Sequence, residues 1–317
     1  MKTVFIVNPK AGKGKKEKQL IEQICTLIAL NNTDWEWYLT QSVGDATRFV
    51  KEYCETKGVA RFIACGGDGT FGEVVNGVFG FPDAEVGVIP IGTGNDFSRN
   101  FSDKQLFFDI DAQLDGVALP IDVLKYNDSY SVNMINIGFD CEVVKKKEKL
   151  QEKKYLPSKL AYIFGLVICL LKKPGLRAKV LLDGKEIPDS DFLLSTFANG
   201  AFCGGGFNSN PRARLDDGKV DALFVRNISR LKFVSLVSSY KQGTHLVPKN
   251  EKILFAEKAG SIRFEFPHTQ SISVDGEIVD CDELTIECVK EALRFVVPRG
   301  SAPISMSTEA AQQEIPV

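Results

Sequence analysis

Short apolar runs alternate with amphipathic stretches through the first third of the chain. Val4–Val7, Trp35–Leu39, Arg61–Cys65 and Val86–Ile89 read as strands, and Lys16–Leu30, Asp45–Lys57 and Thr70–Val78 as helices. Strands that alternate with helices predict an α/β layer structure around a largely parallel sheet. The pattern changes near Lys125. Beyond it, short strands are separated by turn signals at Tyr126-Asn127-Asp128, Asp183-Gly184, Asp217-Gly218 and Asp275-Gly276. Asp-Gly between apolar alternations is a strong hairpin cue. The expected fold class is therefore α/β plus all-β. An α/β domain spans residues 1–125, a β-rich, sandwich-like domain spans 126–298, and a small, polar tail over 299–317 is expected to be disordered.

Composition narrows the function classes. A chain of 317 residues is long enough for two domains with a substantial core. Its 39 basic and 41 acidic side chains give a net charge of -2, so no global field favours nucleic acid. The eight cysteines form no CxxC pair, and the only histidines are His245 and His268, which argues against a Cys/His zinc site. Scattered cysteines of this kind fit a reducing compartment. The first apolar run, Val4–Val7, is too short for a secretory signal and ends in Asn8-Pro9. The longest, Leu160–Leu171, is too short to span a bilayer. A cytosolic protein is expected.

Three glycine-rich loops follow predicted strands: Asn8–Lys15 (NPKAGKGK), Gly66–Thr70 (GGDGT) and Ile91–Asp96 (IGTGND). Ligands of open α/β sheets bind beyond the carboxyl ends of the strands. Glycine lets backbone N–H groups approach an anion there, and a following helix N-terminus adds favourable partial charge. Any one loop could be an ordinary strand-to-helix turn; three on one edge point to phosphate. The Walker A pattern is absent. Gly67, Gly69 and Gly72 fit GxGxxG, but the next strand ends in Val88-Ile89-Pro90 without the acid a dinucleotide site requires. Asp68 and Asp96 place carboxylates inside loops suited to anions. Each could be a helix cap or an Asx-turn; beside phosphate, each requires an intervening hard cation such as magnesium.

GGDGT and GTGNDF (Gly92–Phe97) resemble the catalytic domain of diacylglycerol kinases, a superfamily that includes sphingosine and ceramide kinases. NAD kinases share GGDGT. Asn199–Asp221 (NGAFCGGGFNSNPRARLDDGKVD) and Ser273–Glu277 (SVDGE) are similar to the bacterial lipid kinases, and the likeness runs to about Pro298. The resemblance implies an ATP- and magnesium-dependent kinase acting on a lipid hydroxyl, with diacylglycerol as the first expectation. Its N-terminal domain would hold ATP, and the active site would lie in the cleft between the domains. Asn8, Pro9, Gly12, Thr40, Gly66, Gly67, Asp68, Gly69, Thr70, Gly72, Thr93 and Asn95 are implied to bind nucleotide. Asp68, Asp96 and Asp122 would hold the catalytic magnesium directly or through water, and Glu277 would be the general base. A structural magnesium is implied at Asp217, with carbonyls of Arg214 and Lys219 and with Asp216 or Asp221 nearby. By resemblance alone a homodimer is expected. A sphingoid-base or ceramide kinase, an NAD-kinase-like enzyme and a non-catalytic nucleotide-binding regulator are the competing readings.

Lys145–Lys159 holds seven lysines and precedes the apolar run Leu160–Leu171. It reads as a solvated helix followed by a buried one. The alternative is a peripheral membrane contact through lysines and an interfacial helix.

Overall fold

A computed structural model describes residues 1–11, 18–24, 26, 35–138, 176–187 and 191–304. The lysine-rich segment and its apolar run lie outside the described residues, as does Gly12. The chain divides into two compact units. Unit 1 comprises Met1–Val123, Leu215–Asp217 and Lys290–Val317; unit 2 comprises Leu124–Arg214 and Gly218–Val289.

In unit 1, β1 (Thr3–Val7) pairs in parallel with β2 (Trp35–Leu39) on one side and β3 (Arg61–Gly66) on the other, and β3 pairs in parallel with β4 (Glu85–Pro90). Helices α1 (Asp45–Lys57), α2 (Asp68–Val78) and α3 (Ile110–Leu114) complete the α/β pattern. Every residue of β1 and β4 is buried, as in sheets covered on both faces. Leu20 and Ile24, one helical turn apart, close the core over Phe5, Ile63 and Ile89.

Unit 2 is built from β5 (Val117–Tyr126, entering from unit 1), β6 (Ser129–Ser131), β7 (Met134–Gly138), β8 (Leu176–Arg177), β9 (Lys179–Leu182), β10 (Lys185–Glu186) and β11 (Asp191–Ala198). It continues through β12 (Phe202–Cys203), β13 (Phe207–Asn208), β14 (Val220–Arg226), helix α4 (Arg230–Gln242), β15 (Leu254–Ala259), β16 (Ser261–Val274) and the start of β17 (Glu277–Val297). The pairing is antiparallel, in the order β15-β14-β11-β7-β16-β17. Phe192, Phe197, Phe224 and Phe264 are fully buried in its core.

Three of the four turn signals make hairpins. Asn127 and Asp128 join β5 to β6, Asp183-Gly184 joins β9 to β10, and Asp275-Gly276 joins β16 to β17. Both Asp-Gly pairs adopt positive φ at each residue, 46° and 78° at the first and 49° and 94° at the second, as a type I′ turn requires. Asp217-Gly218 differs: it joins no paired strands and precedes β14.

The boundary between the units falls at Val123, close to Lys125, but the end of the chain departs from the expected division. Residues from Lys290 belong to unit 1, where the end of β17 runs parallel to β4 with Arg294 opposite Glu85 and Phe295 opposite Val86. The Glu85 carboxylate bridges Arg61 at 2.7 Å and Arg294 at 3.0 Å, which pins that register. Residues 299–303, read from sequence as tail, are also tied down. Arg299 N–H donates to Ala112 O at 2.8 Å, and Phe101 bridges Pro303.

Candidate active site

The carboxyl ends of β1–β4 carry the three glycine-rich loops, and hydrogen bonds join those loops into one surface. Asn8 N–H donates to Cys65 O at 3.0 Å, Thr40 N–H to Val7 O at 2.9 Å, and Gly92 N–H to Gly66 O at 3.1 Å. The Asn8 side chain donates to Thr70 Oγ1 at 2.9 Å and accepts from Lys10 N–H at 2.9 Å, closing a turn around Pro9. Thr70 is buried, Gly69 lies in the first turn of α2, and Thr93 is exposed between Gly92 and Gly94.

The loops lie backbone against backbone. A Cβ on Gly92 would stand 2.3 Å from Gly67 Cα, and one on Gly66 would stand 2.4 Å from Thr70 Oγ1. Gly92→Ala must therefore push backbone aside, which costs about 1–3 kcal/mol. We expect a lower melting temperature and, if these loops hold ATP as the sequence resemblance implies, at least a tenfold weaker ATP titration by calorimetry; wild-type affinity would show that this packing shapes no nucleotide site.

Asp68 is the anchor of the third loop. Its Oδ2 accepts Asn95 N–H at 2.8 Å and its Oδ1 accepts Asp96 N–H at 2.9 Å. Asn95 is held left-handed, at φ 52°, and its amide donates to Pro90 O at 2.6 Å and Gly92 O at 3.0 Å. A Cβ on Gly94 would meet Asp68 Oδ2 at 2.7 Å and Asp96 Oδ2 at 3.5 Å, so both carboxylates face the same small residue. The Arg99 guanidinium pairs with Asp96 at 3.3 Å and donates to Gly94 O at 3.3 Å.

The phenylalanines that follow the two aspartates explain how they stay together. Phe71 and Phe97 pack at 5.0 Å, and both contact Phe295, at 5.8 and 4.9 Å. Such aromatic pairs contribute about 0.5–1.5 kcal/mol each beyond area burial. The end of β17 thus fixes both acidic loops from below.

Asp122 is fully buried on β5. Its N–H donates to Leu215 O at 2.6 Å and its Oδ1 accepts Glu291 N–H at 2.8 Å, where Glu291 has φ 53°. Among the described residues no group of three or more His, Cys, Asp or Glu side chains is placed to hold a metal. Asp68 and Asp96 are brought together, and Asp122 does not complete a three-carboxylate cluster with them.

A second anchor was not expected from sequence. Asp45, buried in the first turn of α1, accepts Gln41 N–H at 2.8 Å, Tyr38 Oη at 2.9 Å and Arg48 at 2.6 Å. Burial alone would raise its carboxyl, but these three donors hold it below the ordinary aspartate range. Asp45 thereby fixes the turn that carries Thr40. The signal was present: an Asp after Gly44 at the start of an amphipathic run.

In unit 2, Glu277 is exposed at the first position of β17. The turn before it is held by Asp275, whose carboxylate accepts Ser131 Oγ at 2.8 Å and the N–H groups of Val132, Asn133 and Met134 at 3.0, 3.1 and 2.8 Å. Burial pushes the Asp275 carboxyl up, against the pull of these donors. The Tyr126 phenol is also raised, first by burial and further by the charges of Asp275 and Glu277. Within Arg212–Asp221, which runs into β14, Asp216 and Asp217 belong to unit 1, and Arg214 and Lys219 belong to unit 2. The Asp221 carboxylate pairs with Lys258 at 3.2 Å.

This geometry fits a nucleotide with a hard cation. The carboxylates of Asp68 and Asp96 stand beside the N-terminus of α2, which has no side-chain cap, and glycines floor the loops where a Cβ would intrude. Residues 2–126 match the diacylglycerol kinase catalytic domain, and residues 133–297 match the YegS C-terminal NAD kinase beta sandwich-like domain. The chain belongs to the diacylglycerol kinase catalytic-domain family. It is 30% identical to a diacylglycerol kinase of Bacillus subtilis strain 168, over 86% of this chain and 88% of that one. It is 28% identical to an Alcanivorax borkumensis protein named "probable lipid kinase YegS-like", over 83% and 86%. A crystal structure assigned to a diacylglycerol kinase of Bacillus anthracis strain Sterne superposes with a TM-score of 0.75 at 27% identity, over 94% and 95% of the two chains. Among the described residues, no helix is long and apolar enough to cross a membrane.

Proposed function

We propose that this kinase-family member uses ATP and magnesium to phosphorylate a lipid hydroxyl, with diacylglycerol as acceptor and phosphatidic acid as product. The observation that carries the reading is the approach of Asp68 and Asp96 to Gly94 beside the uncapped start of α2. Asn8, Thr40, Gly66–Thr70, Thr93 and Asn95 line the loops that would hold the nucleotide, and Asp68 and Asp96 would hold magnesium, with Asp122 acting through water. When bound, magnesium-ATP supplies the transferable phosphoryl group and neutralises its developing charge.

Glu277 takes the proton from the acceptor hydroxyl as that oxygen bonds to the γ-phosphorus and the bond to the ADP oxygen breaks. Phosphoryl transfer asks the protein chiefly for position and charge. The turn held by Asp275 supplies a fixed base, and the loops held by Asp68 and Asp45 supply a fixed cradle. The same reading assigns a structural magnesium to Asp217, with the Arg214 and Lys219 carbonyls and Asp216; Lys258 occupies Asp221.

The test is radiolabelled ATP with magnesium and mixed micelles, offering diacylglycerol, sphingosine and ceramide separately and NAD without micelles. Labelled phosphatidic acid is expected. Label in a sphingolipid would move the acceptor, and label in NAD alone would overturn the lipid reading. ATP binding without any product would favour a nucleotide-binding regulator.

A further inference from the structure

We propose that the outward face of α4 is a docking surface for an anionic lipid bilayer. The helix is sharply bounded. Ser229 caps its start by accepting Lys232 N–H, and Gly243 ends it at φ 73°. Its inner row, Phe233 with Val237 and Tyr240 beside it, packs against Leu193, Leu223, Val225 and Leu254, and Leu236 is buried as well. That row accounts for the helix's place in the fold. It does not account for the other side, where Leu231 is 86% exposed and Val234 is 55% exposed. Residues three apart share a helix face, so these two apolar tips stand together, with exposed Ser235 and Ser238 beside them.

The sequence that carries them is basic. The stretch from Arg230 to Lys252 contains Arg230, Lys232, Lys241, Lys249 and Lys252 against a single acid, Glu251, in a chain whose net charge is -2. Lys232, Lys249 and Lys252 are exposed, and Lys241, also exposed, sets its ammonium 5.8 Å from the centre of the Phe207 ring. Exposed apolar tips on a helix that also carries exposed lysines suit the boundary between acyl chains and anionic headgroups. They suit a protein partner poorly. Lysine is depleted from protein interfaces, and two side chains supply little of the roughly 800 Å² per partner that a stable complex buries. The proposal rests on the lipid-kinase reading for its purpose, because an acceptor in a membrane must be reached at its surface. Its observations are independent of that reading.

The test uses the full chain without ATP, in flotation with phosphatidylcholine vesicles and with vesicles that also contain phosphatidylglycerol. Wild type is expected to float with the anionic vesicles only. The double variant Leu231→Glu, Val234→Glu should bind at least tenfold more weakly, and loss of Lys232 or Lys241 should each cost roughly fivefold. Both glutamates replace exposed side chains, and the one at 231 stands in the first helical turn, where an acid is favoured. The variant should therefore keep the wild-type melting temperature and the wild-type rate on a detergent-dispersed acceptor. Vesicle binding by the double variant at wild-type strength would overturn the proposal, as would equal binding to neutral and anionic vesicles. A wild-type dimer that the variant converts to monomer, without flotation, would also overturn it in favour of a second copy. If wild type floats, the variant does not, and neither phosphorylates any dispersed acceptor, the docking surface stands and the lipid-kinase reading fails.

Discussion

Glu277→Gln is expected to lower kcat for lipid phosphorylation by ~10²–10⁴-fold, the range a positioned general base contributes. Glutamine keeps the size of the side chain and removes its capacity to accept a proton. Glu277 is exposed, so the substitution should leave stability within about 0.5 kcal/mol of wild type. The turn itself is held by Asp275 and its four donors, none of which involves the Glu277 side chain. ATP affinity should also hold, because the loops proposed to bind nucleotide belong to unit 1 and Glu277 to unit 2. Steady-state kinetics on diacylglycerol micelles, with calorimetric titration of ATP alongside, reads both. An unchanged kcat would remove Glu277 from the chemistry; a fall in ATP affinity equal to the fall in rate would make it a nucleotide-site residue.

Much of the architecture was legible because periodicity and turn chemistry are local. Trp35–Leu39 and Asp45–Lys57 have the bounds that the pattern predicts, and β1, β3, β4 and α2 differ only at their ends. The Asp275-Gly276 hairpin follows from the ease with which these residues adopt positive φ. The fate of the chain end was not legible. A strand of 21 residues can pair with different neighbours along its length, and the Arg294–Glu85 pair and the fit of Phe295 among Phe71, Phe97 and Phe101 show where its last residues belong.

The candidate site divides along the same line. Asp68 and Asp96 could be found because carboxylates in glycine-rich loops are chemically out of place. Arg99 could not, because it acts through a contact that the sequence does not display, and Asp45 left only the faint signal of an acid at the start of an amphipathic run. Asp45 holds the turn after β2 from the start of α1, and Arg99 neutralises part of Asp96 from the following 3-10 helix. Asp122 is the converse case. The resemblance implied it by position alone in Pro120–Val123, and its carboxylate accepts Glu291 N–H, which gives it a part in shaping β17.

The proposed function gives Asp68 a second role beside its anchoring of the third loop, and two substitutions separate them. Asp68→Ala removes the acceptor of both Asn95 N–H and Asp96 N–H. Hydrogen bonds to a charged group contribute about 1.5–3 kcal/mol each, and the left-handed Asn95 then loses part of what holds it in place. A loss of stability on the order of 2–4 kcal/mol is expected, together with loss of measurable phosphoryl transfer. Asp68→Asn retains one side-chain oxygen as acceptor and turns an amide donor toward the other N–H. Its stability loss should be smaller, since one of the two N–H groups keeps its acceptor. Its catalytic loss should still be about 10²–10³-fold, the scale of removing one electrostatic contact to a transition state, and more magnesium should be needed for half-maximal rate. Asp96→Asn provides the comparison. It should reproduce the change in magnesium dependence with less destabilisation, because the Asn95 and Asp96 amides keep their acceptor. Thermal unfolding and magnesium titration of the rate on all three variants decide the matter. If Asp68→Asn is as unstable as Asp68→Ala and the magnesium dependence of what activity remains is that of wild type, Asp68 is a loop anchor alone and the cation must be held elsewhere.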